Sequence, residues 1–276
     1  MVFMPFIKPR HQLVPYVNNY LLFHVNLRQA LPGQQIKPVP PDATQSLFFY
    51  PRSEVKTIVN GTGETRTAPP SIFVGNQTSR INIEFGIDHL IIQICFRPGF
   101  LFHLLDRMPI SQFHHKEISA EFLSPPEIKN LNQRLAESTD YRQMIVLIEE
   151  YLLARIASLK INARPIDKAI VFLKESKAPV SLDWLASEAC LSPRQFERAF
   201  FERVGMSPKF FARINRFDRA FKMKAAQPHL NWLTIAEACN YYDLSHLMRD
   251  FKQFGEVTPS LLMAQEKVSP DRLFTA

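Results

Sequence analysis

The feature that most constrains this chain is a short stretch that occurs twice near its C-terminal end. Leu185-Ala186 through Pro208 matches Ile235-Ala236 through Pro259. Each copy opens with an aliphatic-Ala pair and reaches Ala-Cys, at Ala189-Cys190 and at Ala238-Cys239. Each then carries Arg two residues before Phe (Arg198 and Phe200; Arg249 and Phe251) and closes on Ser/Thr-Pro, at Ser207-Pro208 and Thr258-Pro259. One extra residue lies in the second turn. Two copies at a period of about 50 residues are too few for a solenoid. The grammar of each copy is a short helix with a small Ala on its packing face, a tight turn and a second helix. Ser192, followed by Pro193, and Asp243 suit the starts of the second helices, because a side-chain oxygen there takes up an otherwise unpaired backbone N–H. Asn240 suits a turn that needs left-handed backbone.

At 100° per residue, each second helix has one face turned away from its core. In the first, Phe196, Ala199 and Phe200 form the apolar face, Arg194 and Arg198 project opposite, and Gln195 flanks them. In the second, Leu244, Leu247, Phe251 and Phe254 form the apolar face. Ser245, Arg249 and Lys252 lie opposite, with His246 and Met248 on the flanks. Arg198 and Arg249 hold the same position in the two copies. An outward Arg on such a helix can donate two hydrogen bonds to guanine O6 and N7, or clamp a phosphate. The helix expected between the copies, from Pro208 to about Ala226, places Phe210, Ile214, Phe217 and Phe221 on a core stripe. Lys209, Arg213, Arg216 and Lys224 form a basic stripe beside it. Between Arg194 and Lys224, nine basic residues face only Glu197, Glu202 and Asp218, which suits a phosphate footprint. A helix of that length, roughly 28 Å, could hold two reading helices about one DNA turn apart. The candidate contacts to double-stranded DNA are therefore Arg194, Gln195, Arg198, Lys209, Arg213, Arg216, Ser245, His246, Arg249 and Lys252.

These residues resemble the AraC family of bacterial regulators. The likeness spans about residues 165–265 and rests on Leu185-Ala186, Ser192, Phe196, Phe200, Gly205-x-Ser-Pro, Arg216-Phe-x-Arg-Ala220, Ile235-Ala236 and Asp243-x-Ser-His-Leu-x-Arg-x-Phe251. The resemblance implies two helix-turn-helix units joined by a long helix, sequence-specific promoter binding, usually as a dimer, and an N-terminal domain for ligand sensing or association. Val74-Gly75-x-Gln77-Thr78 and Phe96-Arg97-Pro98-Gly99 are similar to a less characterised sensor-like domain found ahead of such units. The chain departs from the family pattern at Asn240, where the turn Gly is usual, at Gly255-Glu256, where the Gly falls one residue early, and at Phe201, which is usually charged and here faces outward.

The first 120 residues read differently. Short apolar runs, Ser46 to Tyr50, Ser71 to Val74 and Leu90 to Phe96, are separated by Pro and Gly. Ile81 to Phe85 alternates as a half-buried strand does, and Gly61-Thr62-Gly63 suits a hairpin turn. Pro98 suits the first turn of a helix over Phe100 to Leu105. From Pro125 onward the pattern is helical; Met144, Ile145, Leu147, Ile148, Tyr151, Leu152, Ile156 and Leu159 form a stripe wide enough for two neighbours. The expected fold class is α+β: an N-terminal β-barrel or sandwich with trailing helices over 1–160, an all-α double helix-turn-helix domain over 161–268, and a tail over 269–276. Dimerisation through the 141–159 helix is expected.

Other chemistry is not indicated. Hydrophobic residues at 46% and charged residues at 21% make a globular chain rather than a disordered one. No apolar run approaches the roughly 20 residues that span a bilayer, and the start lacks a cleavage site, so a cytoplasmic protein without a membrane partner is expected. Net charge +7 permits a polyanionic partner. Cys95, Cys190 and Cys239 have no zinc spacing and read as reduced, buried thiols. His114-His115 are adjacent and so diverge, which argues against a joint metal site. Arg97, at a strand end, fits capping or an ion pair better than an acidic ligand. No phosphate loop or nucleophile elbow occurs. The expectation is a non-enzymatic regulator without cofactors, whose partners are promoter DNA, a small-molecule effector, RNA polymerase and a second copy of itself. The alternative is a DNA repair or alkyl-transfer protein that uses the repeat for delivery, which needs a reactive cysteine.

Overall fold

Alternation along one central strand explains the N-terminal half. In β9 (Asp88–Phe96) the side chains of Leu90, Ile92, Ile94 and Phe96 are buried on one face, while Ile91, Gln93 and Cys95 lie half-buried on the other. Both faces are therefore covered. The computed structural model describes residues 2–30, 35–59, 63–113, 118–123 and 125–269. The remaining strands are β1 (Val2–Ile7), β2 (Val17–Asn26), β3 (Ile36–Val39), β4 (Ser46–Phe49), β5 (Lys56–Val59), β6 (Thr65–Thr67), β7 (Ser71–Val74), β8 (Ile81–Glu84) and β10 (Ile118–Ser119). A six-stranded antiparallel sheet runs β1-β2-β9-β4-β7-β10, and a four-stranded one runs β3-β8-β5-β6. Ile83 and Ile91, one from each sheet, pack against both small apolar clusters between the sheets, around Phe23 and Phe85 and around Tyr50 and Ile72. The sheets thus make an open sandwich, not a closed barrel.

Helices cover the outer face of the larger sheet. After the short α1 (Phe100–Leu104) come α2 (Pro125–Glu137) and α3 (Tyr141–Ser158). Leu131, Leu135, Met144, Ile148 and Leu152 join Leu90, Ile92 and Ile94 in the largest N-terminal core. Pro98 does not open α1. Gly99 caps it with φ +81°, a left-handed conformation that Gly adopts without steric cost, so Pro98 falls one residue before the cap. β5 and β6 pair antiparallel, but the turn expected at Gly61-Thr62-Gly63 falls largely outside the described residues, as do His114-His115 and positions 270–276 of the tail.

The chain leaves regular structure after Ser158 and resumes at α4 (Pro165–Glu175). Then follow α5 (Leu182–Glu188), α6 (Pro193–Val204), α7 (Pro208–Ala226), α8 (Trp232–Ala238), α9 (Leu244–Gly255) and α10 (Pro259–Lys267). Their shared core holds Leu185, Phe196, Phe200, Ile214, Phe217 and Phe251, with Ala43 as an N-terminal visitor. Phe211, 1% exposed, takes the core position expected of Phe210, which is half-buried against Phe254. No described helix is long and apolar enough to cross a membrane.

Candidate nucleic-acid interface

Two helix-turn-helix units are built by matched backbone chemistry. In the first, Ala189 caps the end of α5, Cys190 turns left-handed (φ +54°), and the Leu191 N–H returns to the Ala186 carbonyl at 3.0 Å. In the second, Cys239 caps the end of α8, Asn240 turns left-handed (φ +57°), and the Tyr241 N–H returns to the Ala236 carbonyl at 2.9 Å. Cys190 is therefore the counterpart of Asn240, not of Cys239, and the extra residue is Tyr242. Asn240 is suited to its turn and also donates to the Lys177 carbonyl at 2.6 Å. Cys190 is exposed, which corrects the expectation of three buried thiols. Burial, with Asp42 nearby, pushes the Cys95 thiol up to about 12, and burial raises Cys239 as well.

The second helices begin and end as their caps dictate. The Ser192 hydroxyl accepts from the Gln195 N–H, and the Gln195 side-chain oxygen accepts from the Ser192 N–H at 3.0 Å. That oxygen of Gln195 is thus occupied in capping. The Asp243 carboxylate accepts from the His246 N–H at 2.6 Å. Gly205 closes α6 at φ +82°, and Glu256 closes α9 in the same left-handed conformation at φ +58°. A Cβ on Gly255 would lie 2.9 Å from Leu262, which explains why the glycine stands one residue early.

Arg194, Arg198, Ser245, Arg249 and Lys252 are all exposed on α6 and α9, as is Lys209 at the start of α7. Arg198 lies 4.0 Å from Glu202, an exposed i,i+4 pair of little strength. Leu244, expected on the apolar face of α9, is 36% exposed instead, because it opens the first turn beyond the reach of the core.

Arg213 and Arg216 are held differently. Both meet Asp250, a fully buried carboxylate on α9. Arg213 donates to it from Nε at 2.7 Å and also reaches Gln253 at 2.6 Å. The Arg216 guanidinium lies over the Tyr241 ring at 4.3 Å and bonds the His246 Nε2 at 3.1 Å. Burial, with Asp250 beside it, raises the Tyr241 phenol. Lys224 ties down the connection from α7 to α8, donating to the carbonyls of Pro228 and Leu230, and lies over the Trp232 ring. Asp250 was missed in the sequence, although it falls three residues after Leu247 and four before Phe254, on the core stripe. A groove of about 490 Å³ runs between the units, bordered by Lys177, Lys209, Arg213, Arg216, Arg219 and His246. The arrangement offers exposed donors on two helices and a groove with basic residues along α7.

Side chains of the N-terminal half bind this unit. Asp167 on α4 accepts from Arg203 at 2.8 Å and lies 3.4 Å from His103, and Arg203 sits over the Phe102 ring. Arg97 pairs with Glu175 at 2.9 Å, an ion pair being one of the two roles expected of it. Among the described residues no group of three or more His, Cys, Asp or Glu could hold a metal ion.

Residues 185–265 match the family model of a helix-turn-helix domain. An uncharacterized HTH-type transcriptional regulator of Haemophilus influenzae is 28% identical over 115 residues. That match covers 41% of this chain but only 37% of the relative's length. Among solved structures, ToxT from Vibrio cholerae is 10% identical, with 90% of this chain and 98% of that one covered at a TM-score of 0.48. An AraC-type transcriptional regulator from Chromobacterium violaceum is 24% identical, with 37% of this chain and 91% of that one covered at a TM-score of 0.34.

Proposed function

We propose, from a C-terminal segment that is an AraC-type helix-turn-helix domain, that this chain is a sequence-specific DNA-binding transcription regulator. One observation carries the reading: α6 and α9 present exposed arginines from matched positions, Arg198 and Arg249, and α7 packs against both helices. Arg194, Arg198, Ser245, Arg249 and Lys252 would read or clamp the duplex, and Lys209 would meet phosphate. Arg213, Arg216 and His246 would act chiefly by shaping the groove, since each is already engaged inside the protein. Residues 1–160 would form a sensing or dimerisation domain and 161–268 the DNA-binding domain. A small-molecule effector would act through the contacts that join them, the Asp167 cluster among these.

The test is fluorescence anisotropy with the chain's own upstream promoter region against a scrambled duplex at the same salt. Tighter binding to the promoter supports the reading; equal affinity rejects specific regulation, because phosphate contacts alone give sequence-independent binding. The alkyl-transfer alternative gains nothing from Cys95 or Cys239, whose thiols are held protonated by burial.

A further inference from the structure

We infer that Gln45, Asn76 and Arg80 position the two DNA-facing helices relative to each other by holding both at their C-terminal ends. The last carbonyls of a helix have no partner within it. At α6 the carbonyl of Arg203 accepts from the Gln45 amide at 3.1 Å, and that of Val204 accepts from Asn76 at 2.6 Å. At α9 the carbonyl of Gly255 accepts from Arg80 at 3.2 Å, and Arg80 also donates to Gln265 on α10 at 2.8 Å. The Arg80 charge lies at the negative pole of α9, where a cation is favoured.

These donors are themselves fixed. Gln45 is buried, and its side-chain oxygen accepts from the Gly99 N–H at 3.0 Å. Asn76 and Arg80 share the loop between β7 and β8, which Gln77 staples by donating to the carbonyls of Val39 and Ser79, both at 2.8 Å. The sequence motif Val74-Gly75-x-Gln77-Thr78 thus has a mechanical role. Ile110 closes the same contact: a Cβ on Gly205 would stand 3.2 Å from its methyl group.

The loop sets a distance. Four residues of extended chain span at most about 14 Å between backbones, so Asn76 and Arg80 tie the two helix ends to one short segment through their side chains. The ends that face DNA lie a helix length away. Over a 12-residue helix, about 18 Å long, a 10° tilt at the held end moves the far end by about 3 Å. That is close to the 3.4 Å rise between successive bases of a strand. The consequence for DNA rests on the function proposed above; the holding itself does not.

The two can be tested apart. Spin labels are placed on exposed Cys190 and on Tyr242→Cys, the turns that enter α6 and α9, in the full chain without DNA. Pulsed dipolar spectroscopy should give one narrow distance distribution. Asn76→Ala with Arg80→Gln should broaden or shift it by about 3 Å, by the same lever, and Arg80→Lys with native Asn76 should keep it narrow. If circular dichroism shows the double variant unfolded, Asn76→Ala alone is read in its place. An unchanged distribution in a folded variant overturns the inference.

A second arm uses duplexes selected for tight binding, then altered by one base pair between their half-sites. Native protein should lose about tenfold in affinity, about 1.4 kcal/mol and within the usual cost of one mismatched base pair, and the loop variant less than threefold. Equal losses in both proteins also overturn it. If native protein selects no sequence, the DNA reading fails while the distance measurement still decides the holding.

Discussion

Removing the Asp250 carboxylate isolates how firmly the second unit is tied to α7. Asp250 is fully buried, with Arg213 nitrogens at 2.6 and 2.7 Å and an Arg216 nitrogen at 3.5 Å. Breaking a fully buried ion pair by deleting one partner costs about 3–5 kcal/mol, because the survivor is left charged and unpaired. Here the survivors are better placed. Arg213 and Arg216 keep 32% and 23% of their side-chain surface in water, and each lies over an aromatic ring, Phe254 and Tyr241. Those contacts lower the expected cost of Asp250→Ala to about 2–3 kcal/mol. Urea unfolding followed by tryptophan fluorescence measures it, since Trp232 packs on Phe251 at 5.0 Å beside the lesion. Asp250→Ala combined with Arg213→Met should cost less than the sum of the two, because they share one interaction. The released guanidiniums should also bind any duplex more tightly, with a steeper salt dependence. Stability within about 0.5 kcal/mol of the native protein, the range of an ordinary surface change, would mean that Asp250 does not tie α9 to α7.

Arg198→Ala should cost about 1–3 kcal/mol in binding to a specific duplex, whereas Lys209→Ala should weaken all duplexes alike and lower the salt slope by about one; titrations at several salt concentrations separate them. Gly205→Ala should lower the melting temperature, since it places a side chain at φ +82°, worth about 1–2 kcal/mol, and drives a Cβ to 3.2 Å from Ile110. Burial, with His24 and Lys37 nearby, pushes the His89 imidazole down to about 3. The unfolded chain binds that proton below about pH 6.5 and the folded one refuses it, so stability falls as pH drops from there towards 3, by at most about 1.4 kcal/mol per pH unit. His89→Leu should flatten this slope between pH 6.5 and 5 in urea titrations; an unaltered slope would assign the acid sensitivity to other groups.

The C-terminal elements were legible because each is written locally. Ser192, Asp243, Ser207 and Thr258 are short-range capping signals, and all four side chains accept the backbone N–H expected of them. The strands over Leu90 to Phe96 and Ser71 to Val74 were equally plain from their apolar runs. What was lost depended on partners distant in sequence. Neighbours one residue apart on a helix differ by 100°, so the choice between Phe210 and Phe211 was settled by Phe200, whose ring meets that of Phe211 edge-on. The alignment of the two turns slipped because Ala-Cys occurs in both, while the backbone matches Cys190 to Asn240. Arg213 and Arg216 read as surface charges until Asp250, more than thirty residues on, was brought beneath them. The roles of Gln45, Asn76 and Arg80 could not be read, since the helix-end groups they meet are backbone carbonyls, which every residue has.

In the proposed function α6 and α9 would enter DNA together, about one helical turn apart on one face. Hydroxyl-radical footprinting of the full chain on a duplex selected from a random library measures this directly. Two protected stretches about 10 base pairs apart on the same face are expected, with guanine-methylation interference at the base pairs that Arg198 and Arg249 would meet. A single protected stretch, or protection alike on every sequence, would contradict that reading.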